Sequence, residues 1–209
     1  MVDIRPHVKV TVNDELIVQD GHRLIKFTKD LEIDKNFNTS SAHLEQYRGF
    51  TAFCFNNGKQ NLIGTLDAFN MITFDMGGNE QGTFKLHFDG SDSIDDYKTP
   101  SIKVSTPRWI KPYVIKYACS TNDGRILLSD MRNSVIWQVS DPATPQQKCS
   151  VLLAPGINGA PAYLMNQLAG ITTDGKGNVL FCASKTNKIF AVAANGQPMC
   201  SVDCEVNYV

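Results

Sequence analysis

One motif recurs four times along this chain, and a recurrence of that kind limits the fold more than any local propensity does. It is clearest at residues 121–139, TNDGRILLSDMRNSVIWQV. Asn122-Asp123-Gly124 is a hairpin turn signal. Ile126, Leu127 and Leu128 form an apolar run long enough for a strand and too short for a helix. Ser129-Asp130 ends that run, residues 131–134 make a polar loop, and residues 135–139 are a second β-rich run. The other copies are VNDELIVQDGHRLIKF at 12–27, NNGKQNLIGTLDAFNMITF at 56–74 and TTDGKGNVLFCASKTNKIFAV at 172–192. Each has a turn rich in Asn, Asp or Gly, a short apolar strand, an Asp or Ser, a loop, and a strand ending in an aromatic residue or Val.

Ile25, Ile72, Ile136 and Ile189 mark the same point in the four copies, at spacings of 47, 64 and 53 residues. These bracket or exceed the ~40–50 residues of one propeller blade. The excess falls in residues 89–108, polar with two prolines, and 154–167, with Pro-Gly and Ala-Pro. Both read as long connections between blades. A further apolar run precedes each turn (7–12, 51–55, 113–118, 169–172), and a weaker one follows each motif (31–33, 83–88, 148–153, 198–202). Helix-period patterning is absent except over residues 40–47. The expected class is therefore all-β, a β-propeller of four-stranded antiparallel blades. About four blades are present, at 6–37, 49–88, 110–153 and 168–204 of one domain spanning 1–209. They form a small ring or a segment of a larger propeller.

The sequences DGRILLSDMRNSVIWQV and DGKGNVLFCASKTNKIFAV resemble the NHL-repeat family, whose blades read D-x-x-G-N-ψ-ψ-ψ-ψ-D-x-x-N-x-R-ψ-x-ψ-ψ with ψ apolar. The third and fourth copies match best. The first is reduced to ELIVQDGHRLIKF, the second lacks a basic residue before its third strand, and the fourth has Ser184 in place of the Asp. NHL propellers usually have about six blades against the four found here. The resemblance implies a rigid scaffold whose loop face binds protein or RNA. The loops that would carry that binding hold His22, Arg23, Arg132, Asn133, Lys185, Asn187 and Lys188. A protein partner is the leading expectation. RNA is the weaker one, because the basic groups are not interleaved with aromatics for base stacking. Unless the four blades close as a small ring, further blades come from a longer chain or a second subunit.

The main rival is enzymatic. Propellers similar to the gluconolactonase family hold one divalent metal in the central channel through a Glu, an Asn and an Asp, and use it to polarise a lactone or ester carbonyl. The inner strands here offer no Glu to begin such a set, so no cofactor and no catalytic residue is expected. Asp20, Asp67 and Asp130 recur at one position in three copies. A carboxylate ring for a metal is one reading. Repetition favours the other, in which each Asp bonds the amides of its own loop.

Composition narrows the class further. A chain of 209 residues that is 42% apolar and 20% charged is globular. A net charge of −1 argues against a general nucleic-acid or membrane-surface binder. The charge is uneven, with 10 Lys/Arg against 15 Asp/Glu in residues 1–100 and 10 against 6 in the rest. No run reaches the ~18 apolar residues of a membrane-spanning helix, and the first residues lack an apolar leader. The six cysteines form no CxxC pair and mostly lie in apolar strand-like runs, so they are expected to be reduced and buried. Together these favour a cytoplasmic location. The four histidines are scattered, and there is no G-x-S-x-G elbow or P-loop. The acidic stretch 89–96 lacks the spacing of a calcium loop. Trp137 is expected in the core and Trp109 at an exposed anchor.

Overall fold

The computed structural model describes residues 8–11, 13–20, 23–39, 41–47, 50–56, 60–67, 69–86, 115–142, 144, 147–154, 168–183 and 185–204. His22, Ser184, Trp109 and the acidic stretch 89–96 lie outside them.

The strands fall into four antiparallel meanders, each paired in sequence order. The first holds β1 (Val8–Val10), β2 (Leu16–Asp20) and β3 (Arg23–Phe27). The second holds β4 (Ala52–Asn56), β5 (Asn61–Thr65), β6 (Asn70–Phe74) and β7 (Glu80–Lys85). The third holds β8 (Ile115–Ser120), β9 (Ile126–Asp130), β10 (Val135–Ser140) and β11 (Lys148–Leu153). The fourth holds β12 (Leu168–Thr173), β13 (Val179–Ala183), β14 (Lys188–Val192) and β15 (Pro198–Asp203). These are four blades of a β-propeller, with β4 and β12 packed on either side of β8 along the inner edge.

The first blade departs from the other three. In place of a fourth strand it has one bridge, Phe27 to Ile33. The chain then crosses to the second blade through the short helix α1 (Ala42–Tyr47). Ser41 starts this helix, its Oγ accepting from the amides of His43 at 3.1 Å and Leu44 at 3.3 Å. Phe37 and Leu44 enter the space between blades one and two with Ile17, Leu24, Phe53 and Phe74. The missing strand is thus replaced by a packed crossover. Gly78 lets that crossover pass: its φ is 87°, and a Cβ there would stand 2.7 Å from the Asn38 carbonyl oxygen.

The core consists of three clusters, one between each successive pair of blades. Ala52, Ile63 and Met71 meet Ile115, Leu128 and Trp137 between blades two and three. Leu127, Ile136 and Leu152 meet Ile171, Phe181 and Phe190 between blades three and four. Each fully buried Leu, Ile or Phe contributes about 1.5–3 kcal/mol relative to exposure, which makes these stacked faces the main source of stability. Three clusters among the described residues match an open arc of four blades, since a closed ring of four would need a fourth.

Burial along the strands shows the same opening. In the middle blades both sheet faces are covered, and β4 and β9 are buried at every position. The end blades alternate. In blade one Ile17 and Leu24 are buried toward blade two, while the rows Val8–Val18–Ile25 and Val10–Leu16–Phe27–Ile33 face outward, with none of their members buried. In blade four Phe181 and Phe190 are buried toward blade three, while Leu180–Ala191–Cys200 and Cys182–Ile189–Val202 face outward.

Candidate functional site

In an antiparallel meander the loops alternate between the two faces of the disc. The loops joining second to third strands and the blade-to-blade connections open on one face. The 1–2 and 3–4 hairpins open on the other. Arg23, Arg132, Asn133, Lys185 and Asn187 all lie in or beside the second-to-third-strand loops, and Lys188 begins β14. The fold therefore brings these residues from blades one, three and four onto one face.

Local bonding divides them into two groups. Asp130, buried inside its loop, accepts from the Arg132 and Asn133 amides at 3.1 Å each and from Asn133 Nδ2 at 2.8 Å. Asp67 repeats this in blade two, accepting from the amides of Phe69 at 2.6 Å and Asn70 at 2.7 Å and from Asn70 Nδ2 at 2.9 Å. The shared sequence is D-x-x-N, with the Asn amide returning to the Asp carboxylate. Asn133 thus closes its own loop. Lys188 Nζ pairs with Asp203 Oδ1 at 2.9 Å across the β14–β15 edge. Arg23, Arg132 and Lys185 are exposed.

Two positions depart from the sequence alignment. Asp20 pairs directly with Arg23, three positions on, so blade one has no room for the D-x-x-N loop. In blade four Ala183 faces Lys188 where blade three has Asp130 facing Val135, so strand register puts Ala183, not Ser184, in the place of the Asp. The residue before the third strand is left-handed in both, Ser134 with φ 56° and Asn187 with φ 52°. Asn187 uses its carbonyl to accept from the Cys204 amide at 2.8 Å.

The opposite face uses related turn chemistry. Asp174 accepts from the amides of Lys176 and Asn178 at 2.8 Å each and from Asn178 Nδ2 at 2.8 Å. Asp75 does the same for Gly77, Asn79 and Asn79 Nδ2. In both, the Asn side chain leads in holding the carboxyl below its usual range. In the third blade Arg125 holds the Asp123 carboxyl down at about 2, with Thr121 adding a bond.

The inner edge carries a cation that the sequence did not single out. Lys9, on β1, donates from Nζ to the Ala118 carbonyl on β8 at 2.9 Å. It lies near the thiols of Cys54 and Cys119 and favours their ionised forms. Burial dominates, however, and pushes both up to about 12. The only sequence signal was a polar residue between Val8 and Val10, on the face opposite to theirs. Among the described residues no three His, Cys, Asp or Glu side chains converge to hold a metal ion. All six cysteines are free. Cys54, Cys119 and Cys149 are buried as expected, whereas Cys200 is exposed on β15, contrary to that expectation.

A second cation, Lys26, is buried and structural. Lys26 bonds Asp34 at 2.8 Å and Glu15 at 3.3 Å, and lies 5.7 Å from the Phe37 ring centroid. Burial works against its charge, but the bonds to Asp34 and Glu15 outweigh it and leave its pKa raised.

Comparison with solved structures bears on the fold. The chain is similar to a streptogramin B lyase, with TM-score 0.57 and 12% identity over 99% of this chain and 57% of that one. It is similar to the Cps50 (Swd1) β-propeller domain of Myceliophteria thermophila, with TM-score 0.56 and 11% identity over 94% and 54%. It is similar to a chain of a nidogen/laminin complex, with TM-score 0.53 and 13% identity over 90% and 59%. The fold is a β-propeller. The chain spans 54–59% of the length of these structures. No protein-family model matches the sequence, and no curated protein matches it. No helix among the described residues is long and apolar enough to cross a membrane.

Proposed function

We propose that this chain is an NHL-like interaction propeller whose second-to-third-strand loop face binds an acidic segment of a protein partner. The observation that carries the reading is the exposure of Arg23, Arg132 and Lys185 on one face of three different blades. The Asp and Asn residues beneath Arg132 are committed to holding its loop. A rigid frame that presents cations from separate blades fits an extended acidic chain better than a compact ligand. A nidogen/laminin complex among the structural neighbours supports a binding role for this kind of frame.

The test is fluorescence anisotropy with a labelled Glu/Asp-rich peptide and, in parallel, a single-stranded RNA of equal charge. Binding of the peptide that weakens with salt, and is lost on combined reversal of Arg23, Arg132 and Lys185 to Glu, supports the proposal. Peptide binding that survives the reversal overturns it, as does binding of the RNA alone.

A further inference from the structure

We propose that the outward faces of blades one and four are each other's partners, so that two copies of the chain close head to tail into one eight-bladed ring.

The starting point is the chemistry of these faces. Val8 and Val10 are 53% and 60% exposed on blade one, and Ile33 is 59% exposed beside them. On blade four Ile189 is 38% and Val202 62% exposed. The outward rows to which these residues belong contain no charged side chain on either blade; on blade one the exposed Asp20–Arg23 pair forms the next row of the same face, at its loop end. Their opposite faces already form blade-to-blade interfaces of the same aliphatic and aromatic kind. Each end therefore presents the surface that, elsewhere in the molecule, the next blade covers.

One molecule has one surface of each kind, at opposite ends of the arc. A second copy supplies both missing covers at once, blade four of each seating on blade one of the other. This contact is heterologous, and it stops growing only if the ring closes. Eight blades lie within the ~4–8 that propellers commonly use.

Area selects closure over a single contact. A face three or four strands wide at ~4.8 Å and about five residues long at ~3.3 Å covers roughly 300 Å² in projection. One junction joins two such faces, about 600 Å², below the ~1,200 Å² lower bound of stable interfaces. Two junctions formed together reach that bound. The second forms intramolecularly once the first has formed, at the advantage that linkage confers.

Light scattering during size exclusion of the 209-residue chain tests the proposal. The expected mass is twice that of the 23.1 kDa chain at micromolar concentration. Val10→Glu on blade one and Val202→Glu on blade four are then measured separately. Each places a charge in both junctions of the closed pair, so each is expected to raise the dissociation constant by more than about tenfold. Both positions are exposed in the single chain, so circular dichroism is expected to show unchanged strand content, with melting lowered only to that of the wild-type chain diluted until it is single. Arg132→Ala, on the loop face, is expected to leave the mass unchanged. A wild-type mass of one chain overturns the proposal. A mass that keeps growing beyond two chains overturns closure. Sensitivity to only one of the two Glu substitutions overturns head-to-tail pairing, because a contact between like faces needs only one of them.

Discussion

The Phe50 ring lies against the α-carbon of Gly64, in the space that a Cβ at that position would occupy. Phe50 precedes β4 and Gly64 sits in β5, so the ring caps the middle of its own blade. Phe53 and Phe74 hold it there, with centroids 6.3 and 5.9 Å away. Gly64→Ala is therefore expected to displace the ring and overpack the cluster between blades one and two. The cost is about 1–3 kcal/mol, read as a lower urea midpoint. An unchanged midpoint would show that the ring moves freely.

Asp130 distinguishes a structural carboxylate from a functional one. Its loss leaves the part-buried amides of Arg132 and Asn133 without this acceptor. Asp130→Ala is expected to destabilise the chain by about 1–3 kcal/mol. Asn133→Ala is expected to act in the same direction and to a lesser degree. The two effects are expected to be less than additive, since both substitutions break the same network. Full additivity in a denaturation cycle would refute the shared loop.

Acid lability follows from the turn carboxylates. Asp123 is held at about 2, and Asp34, Asp75 and Asp174 also lie below their ordinary value of 3.8. A depressed folded pKa gives stability that is present above the unfolded value and lost as pH falls through the folded one. Melting temperature is thus expected to be flat from neutral pH to about 5 and to fall from about 4 to 2. Asp123→Asn is expected to lower the neutral-pH plateau and flatten the acid slope. A slope identical to that of the unsubstituted chain would remove Asp123 from the account.

Cysteine labelling gives a map of burial. The thiols of Cys54 and Cys119 are pushed up to about 12 by burial, and Cys149 is buried. At a dilution that keeps the chains single, iodoacetamide at neutral pH is expected to modify Cys200 first, Cys182 and Cys204 more slowly, and the three buried thiols only after unfolding; in the closed pair Cys200 and Cys182 are expected to be protected. Peptide mass spectrometry reads the order. Early modification of Cys54 would show that the inner edge opens.

The candidate cations were legible because they sit in loops that the repeat itself marks. Their division into exposed and committed groups was not. Asn133 and Lys188 looked equivalent to Arg132 and Lys185 until the structure turned one onto Asp130 and the other onto Asp203. Lys9 was missed because its partner, Ala118, is 109 residues away.

The sequence carried the hairpins of blades two to four and the chemistry of their turns, but not the loss of a fourth strand in blade one. Asp174 to Asn178 and Asp130 to Asn133 bond within five residues, so the groups that meet are already neighbours in the chain. Tertiary structure alone decided that blade one has the Phe27–Ile33 bridge in place of a fourth strand, that Phe50 covers Gly64, and that the outward apolar rows of blades one and four have no buried member. Those outcomes depend on how blades stack, through contacts between side chains far apart in sequence. A strand repeat carries the same alternating pattern whether or not another blade lies against it, so only the stacked structure reveals which faces remain uncovered.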